Sequence, residues 1–235
     1  MIYFSDIIDH RGFTTHAMKR KFVFALSALL LMTPLWTVEN IFAGYKAPAW
    51  NMGAIEDYPA YLTSEGVTIA VKPFYTDALA AQVFDKKDMV TRGIMPLAIL
   101  IFNDNDYPVE VEGRSIELIH GEDHIQSMLP YETVYRLFKK GRQWMPSPIP
   151  KTSKSKVDMN ALEDFEHKFL MYKEVAPHDK GSGFLYIHIP NSMDLSAYLS
   201  DAVVYIPKIY RQDTGARLIF FEIELKAALK SILTR

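Results

Sequence analysis

The chain reads as a mainly β domain of antiparallel sheets, and three observations predict it. Phe184–Leu225 holds three runs rich in Val, Ile, Phe and Tyr with turn residues between them, the residue types that fit a pleated, half-buried surface. Met95–Asn103 (MPLAILIFN) is nearly continuous apolar sequence, which marks a strand buried on both faces or at the centre of a sandwich, expected as the core of the second sheet. No regular alternation of strand and helix runs through the chain, which argues against a parallel βαβ sheet.

In chain order, residues 44–64 carry Pro48, Gly53 and Pro59 without a clear period and read as an extended leader whose Tyr45, Trp50, Tyr58 and Tyr61 pack along the domain. Val67–Phe74 reads as the first strand, with Val67, Ile69 and Val71 on one face and Pro73 marking an edge strand or a strand end. Asp77–Asp85 is a short helix under a Thr76 or Asp77 cap. Asn103–Pro108 is a turn cluster, and the alternation of Val109, Val111 and Gly113 against Glu110, Glu112 and Arg114 predicts a hairpin with a bulge near Gly113. Helices follow at Pro130–Lys140, from the spacing of Val134, Leu137 and Phe138, and at Met159–Tyr172, from Leu162, Phe165, Phe169 and Tyr172. Between them, Trp144–Lys156 reads as a Pro- and Lys-containing surface excursion. Ala202–Tyr210 and Arg217–Leu225 pair as a hairpin around Arg211–Ala216, with Ile219, Phe221, Ile223 and Leu225 on the core face. Ala227–Arg235 is a short terminal helix. The sum is an immunoglobulin-like sandwich of about seven strands spanning residues 65–226, with a helical insertion at about 130–174.

Composition and the N-terminus bound the location and partners. With 235 residues, 49% hydrophobic content and a net charge of −2, the chain can bury a core and shows no basic stripe for nucleic acid. Met18-Lys19-Arg20-Lys21 followed by the apolar Phe22–Met32 has the form of a secretory signal peptide. Residues 1–43 are therefore expected to be an N-terminal extension and export signal, with Met18 as an alternative start and Ala43 as a cleavage point. If the signal is not cleaved, residues 22–36 are a membrane tether. Absence of cysteine excludes both disulfides and lipidation on a cysteine, so the expected location is periplasmic or envelope-associated, and not that of a lipoprotein.

Glu65–Tyr75, the Met95–Asn103 strand, the Pro130–Phe138 helix and Asp213–Leu225 resemble a group of exported bacterial proteins of unknown function. The resemblance spans most of residues 64–226 and implies a sandwich fold and an envelope location, with no activity attached. Gln143–Lys156 departs from the pattern.

Chemical motifs are few. Asp213-Thr214-Gly215-Ala216 spells an aspartic-protease loop, but that chemistry needs two carboxylates sharing a proton, and Asp-Thr-Gly is also ordinary turn chemistry. His120 and His124 flank Gly121-Glu122-Asp123 and would serve a metal only if both rings pointed one way beside a third ligand. His178, Asp179 and His188 join them only through tertiary structure. Gly181-Ser182-Gly183 lacks the strand before a nucleophile elbow and reads as a flexible turn. No phosphate loop or dinucleotide fingerprint is present. The expected function is a non-catalytic binding or structural module without a cofactor, acting on an unknown envelope protein or on itself. Its partner-facing candidates are Val134, Leu137, Phe138, Phe165, Phe169 and Tyr172, since insertions on a rigid sandwich commonly carry function. The alternative is a metal-dependent enzyme or metal-binding protein at His120 and His124.

Overall fold

Alternating side chains sort the strands into two antiparallel sheets in the computed structural model, which describes residues 44–51, 53–138, 158–190 and 194–230. The twelve described strands are β1 Ala60–Ser64, β2 Val67–Pro73, β3 Ile94–Asn103, β4 Val109–Glu112, β5 Glu117–His120 and β6 Asp123–Met128, then β7 Tyr172–Val175, β8 Asp179–His188, β9 Val203–Ile206, β10 Ile209–Arg211, β11 Ala216–Arg217 and β12 Phe221–Glu224. Eight form one sheet in the order β1-β2-β3-β8-β6-β5-β9-β12, and four form a second in the order β11-β10-β4-β7. The large sheet curls until its outermost strands, β1 and β12, lie against each other. Such curling shields two edges that would otherwise present unpaired backbone.

The large sheet separates two apolar cores. On β3, Met95, Leu97, Ile99 and Ile101 face inward with Val67, Ile69 and Val71 of β2 and Leu185 and Ile187 of β8, against Val109, Val111, Val175 and Ile209 of the small sheet. On the other face Ile94, Ala98 and Leu100 join Phe184 and Tyr186, covered by Tyr45, Tyr58, Val134, Leu137, Ala161 and Phe165. β3 is apolar throughout because both of its faces are buried, but it pairs directly with β2 in the same sheet and is not the core of a second one.

Several boundaries differ from expectation. Pro73 ends β2, a strand paired on both sides; the missing N–H of proline is tolerated at the strand terminus. β1 precedes β2 inside the stretch expected to be a leader. Asn103–Pro108 turns as predicted, but β3 pairs with β2 and β8, while β4 pairs with β7 and β10. The predicted hairpin is therefore a sheet crossing: Gly113–Ser115 forms a 3-10 turn between β4 in the small sheet and β5 in the large one. The helix expected over Met159–Tyr172 stops at Lys168, because Phe169 turns extended and Leu170 N–H donates to Phe184 O. Gly181, Ser182 and Gly183 lie inside β8, where a Cβ on Gly183 would come within 2.8 Å of Leu170 Cβ.

The closing hairpin keeps its loop and core face. Gly215 N–H donates to Arg211 O at 2.8 Å with Gly215 at φ 67°, and Phe221, Ile223 and Leu225 are buried. Its arms divide, however: Pro207-Lys208 breaks the first run, so β9 pairs with β12 in the large sheet and β10 with β11 in the small one. The short helices fit their caps. Thr76 Oγ1 accepts from Leu79 N–H above Asp77–Ala80, and Asp158 accepts from Ala161 N–H above Met159–Lys168. A further helix at Leu195–Ser200, capped by Asp194, was not expected. The terminal helix is described over Lys226–Lys230. The expected export signal, the expected tether 22–36 and the whole of the 144–156 excursion lie outside the described residues. Among the described residues no helix is long and apolar enough to cross a membrane.

Candidate functional site

β5 and β6 form a two-residue hairpin, with Gly121 at φ 60°, that sets His120 opposite Asp123 and His124 opposite Ile119. Directly opposed residues share a sheet face and neighbours alternate, so the two imidazoles project to opposite faces. His124 Nδ1 lies 2.8 Å from Glu117 Oε2, while the His120 ring packs on Tyr198 at 4.0 Å between centroids. His124 holds the Glu117 carboxyl below its ordinary range through that hydrogen bond, reinforced by Gln126. No third ligand joins either histidine: among the described residues no group of three His, Asp or Glu could hold a metal. His178 pairs instead with Asp106 at 2.9 Å.

Asp213 is held by a two-pronged ion pair, accepting from Arg211 Nε at 2.6 Å and from Arg211 Nη2 at 2.9 Å. That hydrogen-bonded guanidinium keeps the carboxyl below its ordinary range, which suits a loop staple and opposes proton sharing.

The partner-facing candidates divide by exposure. Val134, Leu137 and Phe165 are core residues, and Phe138 and Phe169 are half-buried against the same core. They cover the outer face of the large sheet because that face is as apolar as the inner one. Tyr172 is 59% exposed at the start of β7. The opposite side of the Pro130–Phe138 helix carries the exposed apolar groups: Tyr131 is 55% and Tyr135 39% exposed, with rings stacked at 6.3 Å and 16°. Leu129 precedes them, 37% exposed. Their i,i+4 spacing was legible in the sequence; which stripe the core would take was not.

A polar tie missed by sequence reading fastens the leader to the Met159–Lys168 helix. Tyr45 Oη donates to Asp164 Oδ2 at 2.5 Å, and Lys168 Nζ donates to Asp164 at 2.8 Å, Val83 O at 2.7 Å and Pro48 O at 3.0 Å. The three ammonium protons are thereby satisfied, and Lys168 also sits 4.9 Å over the Phe84 ring. Side-chain exposures of 9% for Lys168 and 6% for Asp164 place the pair in the interior. Burial, the Asp164 hydrogen bond and the Asp164 charge push the Tyr45 hydroxyl well above its ordinary value. Beneath it Tyr186, whose Oη donates to Phe165 O at 2.7 Å, is raised mainly by burial. The group is a saturated structural lock: each ammonium proton has an acceptor and the carboxylate has two donors. Asp164 and Lys168 are an i,i+4 pair in the sequence, but Pro48 and Val83 reach Lys168 only through the fold.

Two clefts flank the leader where it crosses this helix. One, of ≈ 450 Å³, is lined by Tyr45, Ala47, Asn160, Glu163, Asp164 and His167. The other, of ≈ 560 Å³, includes Trp50, His167, Lys168, Lys173, Ser182 and Phe184 in its lining.

No family model matches the chain, and no curated protein matches it. Among solved structures it is similar to the crystal structure of the yjhA protein from Bacillus subtilis, at 7% identity and a TM-score of 0.34, over 64% of this chain and 78% of that one. Superposition at that level defines neither fold nor role.

Proposed function

We propose that the protein is a non-catalytic binding module of the cell envelope that meets a protein partner through the outer face of its Pro130–Phe138 helix. The observation that carries this is the stacked, exposed Tyr131–Tyr135 pair beside Leu129. Tyrosine brings a large apolar surface, a hydrogen-bonding tip and little rotamer entropy, and is enriched where partners bind. Val134 and Leu137 anchor the opposite side of the helix in the core, so the patch is presented on a rigid support. The envelope location is supported by the basic and apolar segments of Met18–Met32. The immunoglobulin-like reading of the fold is supported by two antiparallel sheets facing across one core, in a version with eight strands in one sheet and four in the other.

The test is photocrosslinking in intact envelopes, with p-benzoylphenylalanine replacing Tyr131 in one variant and Glu222, exposed on β12, in another. A discrete adduct from position 131 and none from 222 is expected; an adduct with a second copy would make self-association the function. Equal or absent crosslinking at both positions overturns the proposal. N-terminal sequencing of the same material is expected to find residues 1–43 removed.

A further inference from the structure

We propose that the cleft beside Trp50 binds a small carboxylate with a flat apolar body. Its volume of ≈ 560 Å³ falls within the roughly 300–1,000 Å³ range of small-molecule sites. The Trp50 ring is half-buried and set against Phe184 at 4.7 Å and 62°, which fixes one apolar wall.

The charge of the lining chooses the ligand's polar end. Lys168 is fully engaged by Asp164 and two carbonyls, so these two residues cancel. Lys173 remains: half-buried on β7, it forms no ion pair among the described residues. Its stem lies over Gly181, where a Cβ would come 2.8 Å from Lys173 Cε and 3.2 Å from its Cγ. The absent side chain on β8 is the space the lysine stem occupies. Ser182, next to Gly181, adds a half-buried hydroxyl, and the exposed His167 stands at the rim. An ammonium and a hydroxyl beside an aromatic wall suit a carboxylate on an apolar ring: charge-assisted hydrogen bonds hold the head and Trp50 covers the body. The neighbouring cleft has the opposite chemistry, with Glu163 in its lining and no lysine among the described residues, and would repel the same ligand.

The probe is phenylacetate, with phenylacetamide as its uncharged counterpart, titrated into the full chain. Binding is followed by the Trp50 indole N–H resonance, assigned through Trp50→Phe among the three tryptophans. Saturable shifts are expected with phenylacetate, and about tenfold weaker binding with phenylacetamide, from loss of a charge-assisted contact. Lys173→Met should weaken phenylacetate about tenfold, Lys173→Arg should largely retain it, and Lys180→Met, on the exposed start of β8, should leave it unchanged. Unaltered thermal midpoints separate these effects from misfolding; if Lys173→Met fails to fold, the acid-to-amide ratio and Lys173→Arg still decide. Equal binding of acid and amide, full affinity in Lys173→Met, or no perturbation of Trp50 overturns the proposal.

Discussion

At Gly113 the chain has room for a hydrogen and nothing more: a Cβ there would sit 1.9 Å from Leu170 O, while Gly113 N–H donates to Met171 O at 2.8 Å. Gly113→Ala is expected to lower stability by about 3 kcal/mol, since backbone cannot move aside as a flexible side chain does. Gly121→Ala meets nothing within 4 Å and should cost only the left-handed backbone penalty at φ 60°, about 1–2 kcal/mol. Urea midpoints of the two variants check the ordering, and an equal loss would contradict it. The buried lock offers a second comparison at this scale. Lys168→Met strands Asp164 in the interior and should cost about 3–5 kcal/mol. Adding Asp164→Leu should return part of that loss, because a buried pair replaced whole is tolerated better than one broken; strict additivity would show that the two side chains do not act together.

Elements show why apolar spacing locates a helix more readily than it assigns a role. In Pro130–Phe138, Val134 and Leu137 are buried while Tyr131 is exposed, so the stripe that identified the helix is the stripe the sheet consumes. Leu137→Ala is expected to cost about 2–5 kcal/mol as a buried cavity, and Tyr131→Ala at most about 0.5 kcal/mol. Thermal denaturation distinguishes them, and a large loss at Tyr131 would place it in the core. The second helix teaches the same lesson at its end: the 3–4–3 spacing runs on through Phe169 and Tyr172, yet the backbone leaves the helix at Phe169 to bridge Phe184. Side-chain periodicity does not record where the hydrogen-bond partner changes.

Over the whole molecule, opposite limbs of the pH profile report different groups. Burial raises the Tyr45 hydroxyl above its unfolded value of about 10. Its contribution is therefore full below about pH 10 and is lost as pH rises toward the folded value. Burial, with the charge of Arg136, lowers His188 below its unfolded value of about 6.5. That contribution is present above about pH 6.5 and is lost as pH falls through the folded value. Urea midpoints are expected to decline on both sides, with Tyr45→Phe flattening the alkaline limb and His188→Gln the limb below pH 6.5. A profile unchanged by either substitution would exclude that residue as a source of the slope.

The sequence by itself determined the β-rich character, the doubly buried β3, the Asn103–Pro108 turn, the Arg211–Ala216 loop and the existence of the two inserted helices. Each rests on short-range periodicity or on turn chemistry that neighbouring residues dictate. Only the tertiary structure decided that Pro207-Lys208 divides the last hairpin between two sheets, that the Gly113 turn carries the chain from one sheet to the other, and that a second core lies outside the large sheet. It also decided the site. His120 and His124 part because a two-residue hairpin sets them on opposite faces, and Lys173, Trp50 and Ser182 come to line one cleft where the Lys173 stem lies over Gly181 of β8. Those outcomes depend on which distant strand pairs with which, and on how closely two backbones approach, neither of which local spacing encodes.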